Sequence, residues 1–273
     1  RGRSVINAAV VDYSAATGSV LLRSSGAAQL LPTPSFNQSG LVAELRAACE
    51  RARVPFPKRY TLQTVSLLSF PQELPEYEVE SAHFAAHPDQ GSCAHWPLTG
   101  LDTPLGLQEA CKRCNTSSCA TGRDAFGQPR NFTAADRRSL AAAFGTLWAT
   151  HEALGERAKT LRAWLVEPVG VPRVIAVHCH HGIDRTGELV AAYEMMFKNT
   201  TLTDSLRRSA ALTGRGAKYC TQLAAQWECV RQRIAARAPI NDCLVCDAPG
   251  TGATCHAPTL LWWCGSYNFA GEA

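Results

Sequence analysis

Residues 174–187 read Val-Ile-Ala-Val-His-Cys-His-His-Gly-Ile-Asp-Arg-Thr-Gly. With the preceding Val171-Pro172-Arg173, the apolar, β-branched run predicts a buried strand that ends at a cysteine. Five residues later Arg185 opens a segment of helical pattern. A strand passing through a short glycine-containing loop into a helix is an α/β element, and its surroundings repeat that alternation. Residues 61–70 are β-rich and bounded by prolines. Pro75 with Glu76, Glu78 and Glu80 looks like the first turn of a helix over 75–87, stopped at Pro88. Residues 93–98 predict another short strand.

Further out, the runs 5–11 and 19–23 flank a glycine-containing turn and predict a hairpin. Leu41, Val42, Leu45 and Cys49 share one face of a helix that ends before Pro55. Thr133 and Asp136 form a capping box ahead of a long helix carrying Leu140, Phe144, Leu147, Trp148 and Leu154. The expected organisation is α/β, a central sheet flanked by helices with a disulfide-rich insertion and C-terminal tail. Residues 1–54 form a hairpin and helix packed on the core, 55–240 a catalytic domain with a Cys-rich insertion at 105–131, and 241–273 the tail.

The chain has 273 residues, 46% hydrophobic and 18% charged, enough apolar surface for a real core and too much for a disordered segment. No run of eighteen apolar residues occurs, so no helical membrane span is expected. A net charge of +4 suits an anionic substrate but is too weak and diffuse to argue for nucleic acid. Twelve cysteines are unusual, and four of the seven asparagines, Asn37, Asn115, Asn131 and Asn199, stand in Asn-x-Ser/Thr triplets. Together they point to secretion or the lumen of the secretory pathway, with sugars on those asparagines. A chain that starts at Arg1 without an apolar leader fits a trimmed product.

The loop after Cys179 has its own chemistry. Backbone N–H groups between a strand end and a helix N-terminus make an anion cradle, which Gly182 allows to curl tightly. That field and Arg185 would hold Cys179 as a thiolate nucleophile, while Arg185 grips two phosphate oxygens. Thr186 is placed to donate to the departing thiolate, and His178 to brace the loop. His180, His181, Gly182, Ile183 and Asp184 would line the substrate. His178, Cys179, His180 and His181 are too close in sequence to converge on one tetrahedral ion, so no metal and no other cofactor is expected.

His178-Cys179-x5-Arg185-Thr186-Gly187 resembles the active-site signature of the cysteine-dependent protein tyrosine phosphatase superfamily, over roughly residues 55–240. The resemblance implies the family's central sheet flanked by helices. It also implies a phosphocysteine intermediate, and an aspartic acid that protonates the leaving oxygen and then activates water. Asp102, in Trp96-Pro-Leu-Thr-Gly-Leu-Asp-Thr-Pro104, resembles the acid loop of dual-specificity and atypical members. The alternative is Asp89, in His87-Pro-Asp-Gln-Gly91, which looks like the loop of tyrosine-specific members with His in place of Trp. Asp102 is preferred, because a strand at 93–98 would lead into it. Gln222 is a weak counterpart of a glutamine that positions the hydrolytic water. Asp184 is similar to atypical bacterial and phosphoinositide phosphatase loops, which adds inositol phosphates or phosphoinositides to phosphorylated proteins and small phosphomonoesters as substrates.

Two readings of another class stand beside the enzyme. One is an idle secreted glycoprotein that keeps the fold as a phosphate-binding or structural module. The other is an adhesion domain using Trp262, Trp263 and Tyr267, which pack more readily under disulfides. With Cys179 set aside as nucleophile, eleven cysteines remain, predicting five disulfides and one thiol. Local bridges are expected within 93–119 and 243–264, with Cys220 and Cys229 paired together or tying the last helix to the tail.

Overall fold

A computed structural model describes residues 6–30, 34–69, 73–98 and 153–217, and scattered positions from 224 to 256. Asp102, the insertion, the Thr133 capping box, Asn115, Asn131, Gln222, Cys220 and the aromatic tail lie outside the described residues.

The strand into Cys179 is the middle of the molecule. Strands β1 (Ala9–Tyr13), β2 (Val20–Ser25), β5 (Thr61–Ser66), β6 (Ser92–His95) and β7 (Arg173–Cys179) form one sheet in the order β1-β2-β7-β5-β6. All neighbours are parallel except the β1–β2 hairpin. Two short strands, β3 (Ala28–Gln29) and β4 (Ser35–Phe36), pair beside the sheet.

Helices cover both faces. α1 (Gln38–Ala52) and α2 (Leu74–Ala86) pack on one, α3 (Leu154–Val166) and α4 (Asp184–Phe197) on the other, and α5 (Leu202–Thr213) lies against α4. Alternation along the strands sorts the side chains. Val20, Leu22, Val174 and Ala176 join the first core, with Leu41, Leu45 and Phe84. Leu21, Ile175 and Val177 join the second, with Leu161, Leu165 and Leu189. A strand buried on both faces needs a continuous apolar run, which is why 174–177 carries no polar residue. In the tail, β8 (Val245–Cys246) and β9 (Cys255–His256) form a separate pair.

Three expectations change. Leu154 does not continue the helix assigned to Thr133 and Asp136. Ala153 adopts a left-handed φ of 45°, and Leu154 begins α3 anew. The β-rich stretch 61–70 is a strand only as far as Ser66; beyond it the Leu67 carbonyl accepts from Arg185 and the Leu68 carbonyl meets His95. The expected thiol count is too low. Besides Cys179, both Cys49 and Cys93 are unpaired thiols, so Cys93 is not part of a bridge within 93–119. Cys93 faces Glu80 and Thr64 from the sheet, where burial and then the Glu80 charge push its thiol up to about 12. Cys49 is fully enclosed under α1, and burial raises it to about 11. Cys229 bonds to Cys243, the arrangement that ties the last helix to the tail.

Candidate active site

Cys179 ends β7 at 2% exposure, residues 180–183 form the loop, and α4 begins at Asp184. Gly182 has φ +69°, and a Cβ there would lie 2.4 Å from the Ser24 carbonyl oxygen. The loop passes so close to the backbone of β2 that only glycine fits, and only glycine adopts that φ without cost.

The hairpin behind the loop holds its carbonyls. Gly26 N–H donates to the Cys179 carbonyl at 2.8 Å. Asn7 Nδ2 donates to the His181 carbonyl at 2.8 Å, and Arg23 Nη2 to the Gly182 carbonyl at 2.7 Å. In a trans peptide the carbonyl and the following N–H point in opposite directions. The N–H groups of His180, Gly182 and Ile183 are therefore turned away from the hairpin.

On the other side stands α2. Glu73, Glu76 and Glu80 recur at helical spacing and face the loop. Glu73 grips Arg185 with both oxygens, at 2.6 and 2.7 Å, instead of capping its own helix. Arg185 Nη1 also reaches the Leu67 carbonyl and Ser69 Oγ. Glu76 meets His180 Nδ1 at 2.9 Å. Glu80, 1% exposed, meets His178 Nε2 at 3.0 Å. One helix face thus holds three basic side chains of the signature segment, one from each carboxylate.

Burial disfavours charge on His178, but Glu80 overrides it and raises the imidazole above its ordinary value. Burial likewise pushes Glu80 up, while His178 and hydrogen bonds from Thr64 and Cys93 leave it net lowered. Burial opposes the Arg185 charge, and Glu73 with a Cys179 thiolate hold it raised. Arg23, 4% exposed on β2, is brought down to about 10 by burial, against the pull of the Cys179 thiolate and Glu194. Arg215 clasps Asp184 at 2.8 and 3.0 Å and is raised by that bond, with a further contribution from Cys179.

Buried polar atoms without a hydrogen-bond partner gather here. Among the described residues, Arg23 Nε, Ser24 Oγ, Ser66 Oγ, His178 Nδ1 and Thr186 Oγ1 are such atoms. Ser24 and Ser66 are the register partners of His178 on either side. Unsatisfied groups are costly in a core, so their concentration around one loop marks a place shaped by something other than stability.

The structure thus brings Cys179, His178, His180, Gly182, Asp184, Arg185 and Thr186 together, with Ile183 at the N-cap of α4 and His181 exposed on the rim. It does not bring Asp89. That residue is exposed in the turn before β6, at the opposite end of the parallel sheet from Cys179. Leu98, by contrast, leaves β6 on the Cys179 side, and its carbonyl accepts from Ser69 Oγ at 2.6 Å. Asp102 follows four residues later in the sequence. No group of three or more metal-ligating side chains occurs among the described residues. Of the two described Asn-x-Ser/Thr triplets, Asn199 is exposed with φ 48° between α4 and α5, and Asn37 caps α1 by accepting from Gly40 N–H.

Arg23, Asn7, Glu73, Glu80 and Arg215 are site residues that the sequence reading did not name. The signal for Arg23 was available. Apolar runs give way to Arg23-Ser24-Ser25, to Ser66, and to His178-Cys179 at one level of three neighbouring strands.

No protein-family model matches the sequence, and no curated protein is significantly similar to it. Among solved structures, the chain is similar to a kinase-associated phosphatase whose catalytic cysteine was replaced by serine. Identity is 12%, with 85% of this chain and 97% of that one covered and a TM-score of 0.42. It is also similar to a Legionella phosphoinositide phosphatase, at 12% identity and TM-score 0.30, over 77% of this chain and 30% of the other.

Proposed function

We propose that the chain is a cysteine-dependent phosphomonoester hydrolase. The observation that carries this reading is the Cys179–Arg185 loop itself. A strand-end cysteine opens a loop whose Cys179, His181 and Gly182 carbonyls are tied back by the hairpin, and Arg185 closes that loop at the start of α4. Tied-back carbonyls leave N–H groups for an anion, and a thiolate in such a field is a nucleophile.

Cys179 Sγ attacks phosphorus while the ester oxygen departs with a proton from the Asp102 carboxylic acid. Water then attacks the phosphocysteine, the Asp102 carboxylate takes its proton, and Sγ leaves as thiolate toward the Thr186 hydroxyl. Arg185 holds two equatorial oxygens throughout. The path of the chain from Leu98 favours Asp102, and the exposed position of Asp89 in the turn before β6 counts against Asp89 as the acid. Phosphorylated proteins and inositol-type phosphates are both compatible with the Asp184–Arg215 pair. The disulfide and the exposed Asn199 triplet support a secreted or luminal setting.

The test is hydrolysis of an aryl phosphate across about pH 5–8 by wild type, Cys179→Ser and Asp102→Asn. Cys179→Ser should be inactive and Asp102→Asn slower by about 10²–10⁴-fold. Wild-type turnover no faster than that of Cys179→Ser refutes the enzyme and leaves the idle module.

A further inference from the structure

Asn7 and Arg23 lie far from Cys179 in sequence, yet each ends on a carbonyl of the loop, at 2.8 and 2.7 Å. Asn7 is held in the left-handed region with φ 58°, a conformation that asparagine tolerates better than most residues. Its neighbour Ile6 exchanges bonds with Ser25, through Ile6 N–H to Ser25 Oγ at 3.0 Å and Ser25 N–H to the Ile6 carbonyl at 2.9 Å. Ser25 is the register partner of Cys179. The backbone at Asn7 is thus fixed beside the loop, with its amide on the His181 carbonyl.

Arg23 is the more costly device. A guanidinium at 4% exposure on a central strand meets Ser209 Oγ at 2.9 Å and the Gly182 carbonyl, while its Nε has no partner. No carboxylate bonds it among the described residues, so its placement is poor as a stability measure. A protein concerned with stability alone would place an apolar residue there, as it does at Leu21 and Leu22.

We propose that Asn7 and Arg23 are positioning residues of the anion cradle. By holding the His181 and Gly182 carbonyls outward, they turn the N–H groups of Gly182 and Ile183 toward the bound phosphoryl group. Arg23 adds a fixed positive charge behind the loop. The inference rests on the phosphatase reading and extends it, because it assigns part of the site to the N-terminal hairpin. Without the two tethers, the Gly182 and Ile183 peptides can rotate and point carbonyl oxygens at the anion. Arg185 and Cys179 would stay in place, held by α2 and β7.

Two variants separate tethering from folding. Asn7→Gly removes the amide but keeps a residue that adopts φ 58° freely. Arg23→Lys keeps the charge but cannot reach Ser209 and Gly182 together. The whole chain is titrated calorimetrically with tungstate, a tetrahedral oxyanion. The pH profile of Cys179 alkylation by iodoacetate and the melting temperature are recorded alongside. Each variant should bind tungstate roughly tenfold more weakly than wild type. Its alkylation profile should shift to higher pH, with Asn7→Gly melting close to wild type. Tungstate affinity within twofold of wild type and an unmoved alkylation profile in Asn7→Gly overturn the inference while leaving the phosphatase standing. Wild type that binds no tungstate overturns both. If Arg23→Lys fails to fold, Asn7→Gly alone decides.

Discussion

Replacing Glu80 with glutamine tests the buried pair next to Cys179. Glu80 and His178 are 1% and 3% exposed, with Nε2 3.0 Å from the carboxylate. Glutamine keeps the shape and one hydrogen-bonding oxygen but removes the charge that holds His178 protonated. Converting a charge-assisted bond to a neutral one costs about 2 kcal/mol, less than the roughly 3–5 kcal/mol of a wholly broken buried pair, because His178 can shed its proton. In a domain of this size that is a fall in Tm of about 6 °C.

The sign with pH follows from the two groups. His178 is raised above 6.5, so its contribution is complete below that value and is lost as pH rises through the higher folded one. Glu80 is lowered below 4.5, so its contribution is complete above 4.5 and is lost as pH falls through the lower folded one. The gap in Tm between wild type and Glu80→Gln should therefore be widest between those limits and shrink on either side. Differential scanning calorimetry from about pH 4 to pH 9 measures it. A gap that is constant over that range would refute the claim that charge, rather than shape, holds His178.

Two further outcomes follow from single atoms. Gly182→Ala places a methyl 2.4 Å from backbone at φ +69°. It should cost about 1–3 kcal/mol by thermal melting and remove aryl phosphate turnover. Thr186→Val replaces a buried hydroxyl without a partner by an isosteric methyl. It should melt at or above wild type by about 1 kcal/mol while phosphocysteine accumulates in a rapid-quench assay, and lower stability would show that the hydroxyl is structural.

The layout was legible where one residue type had one reason to be there. The run 174–177 read as a buried strand, and Gly182 as the residue that lets the loop curl tightly; the first is buried throughout and the second has φ +69°. Pro75 and Pro88 bounded α2 to within two residues. What α2 does was not legible, because Glu73, Glu76 and Glu80 look like the solvated first turns of any helix until β7 is set beside them. The choice between Asp89 and Asp102 turns on which end of a strand each adjoins, and the parallel topology sets Asp89 at the end away from Cys179. Cys93 was misjudged by counting, whereas Cys49 is the thiol that the expected bridges left over. Pairing depends on which cysteines meet in space, and these two face α1's core and Glu80. Arg23 was passed over as the polar end of an apolar run, although its strand continues to Ser25.

The central position of β7 also bears on how the molecule is made. Its neighbours are β2 and β5, and the bond from Arg173 N–H to Ser19 Oγ joins residues 154 apart in sequence. Neither side of Cys179 can close until most of the chain has been synthesised and that long span has been brought back, an ordering that favours slow assembly. Until then Cys179 is an uncovered thiol among eleven others. In the completed sheet β7 lies between β2 and β5, and Cys179 is 2% exposed. Completing the sheet is therefore also what removes Cys179 from the pool of thiols open to exchange, and a fault in the distant hairpin would be felt first as mispairing of that cysteine.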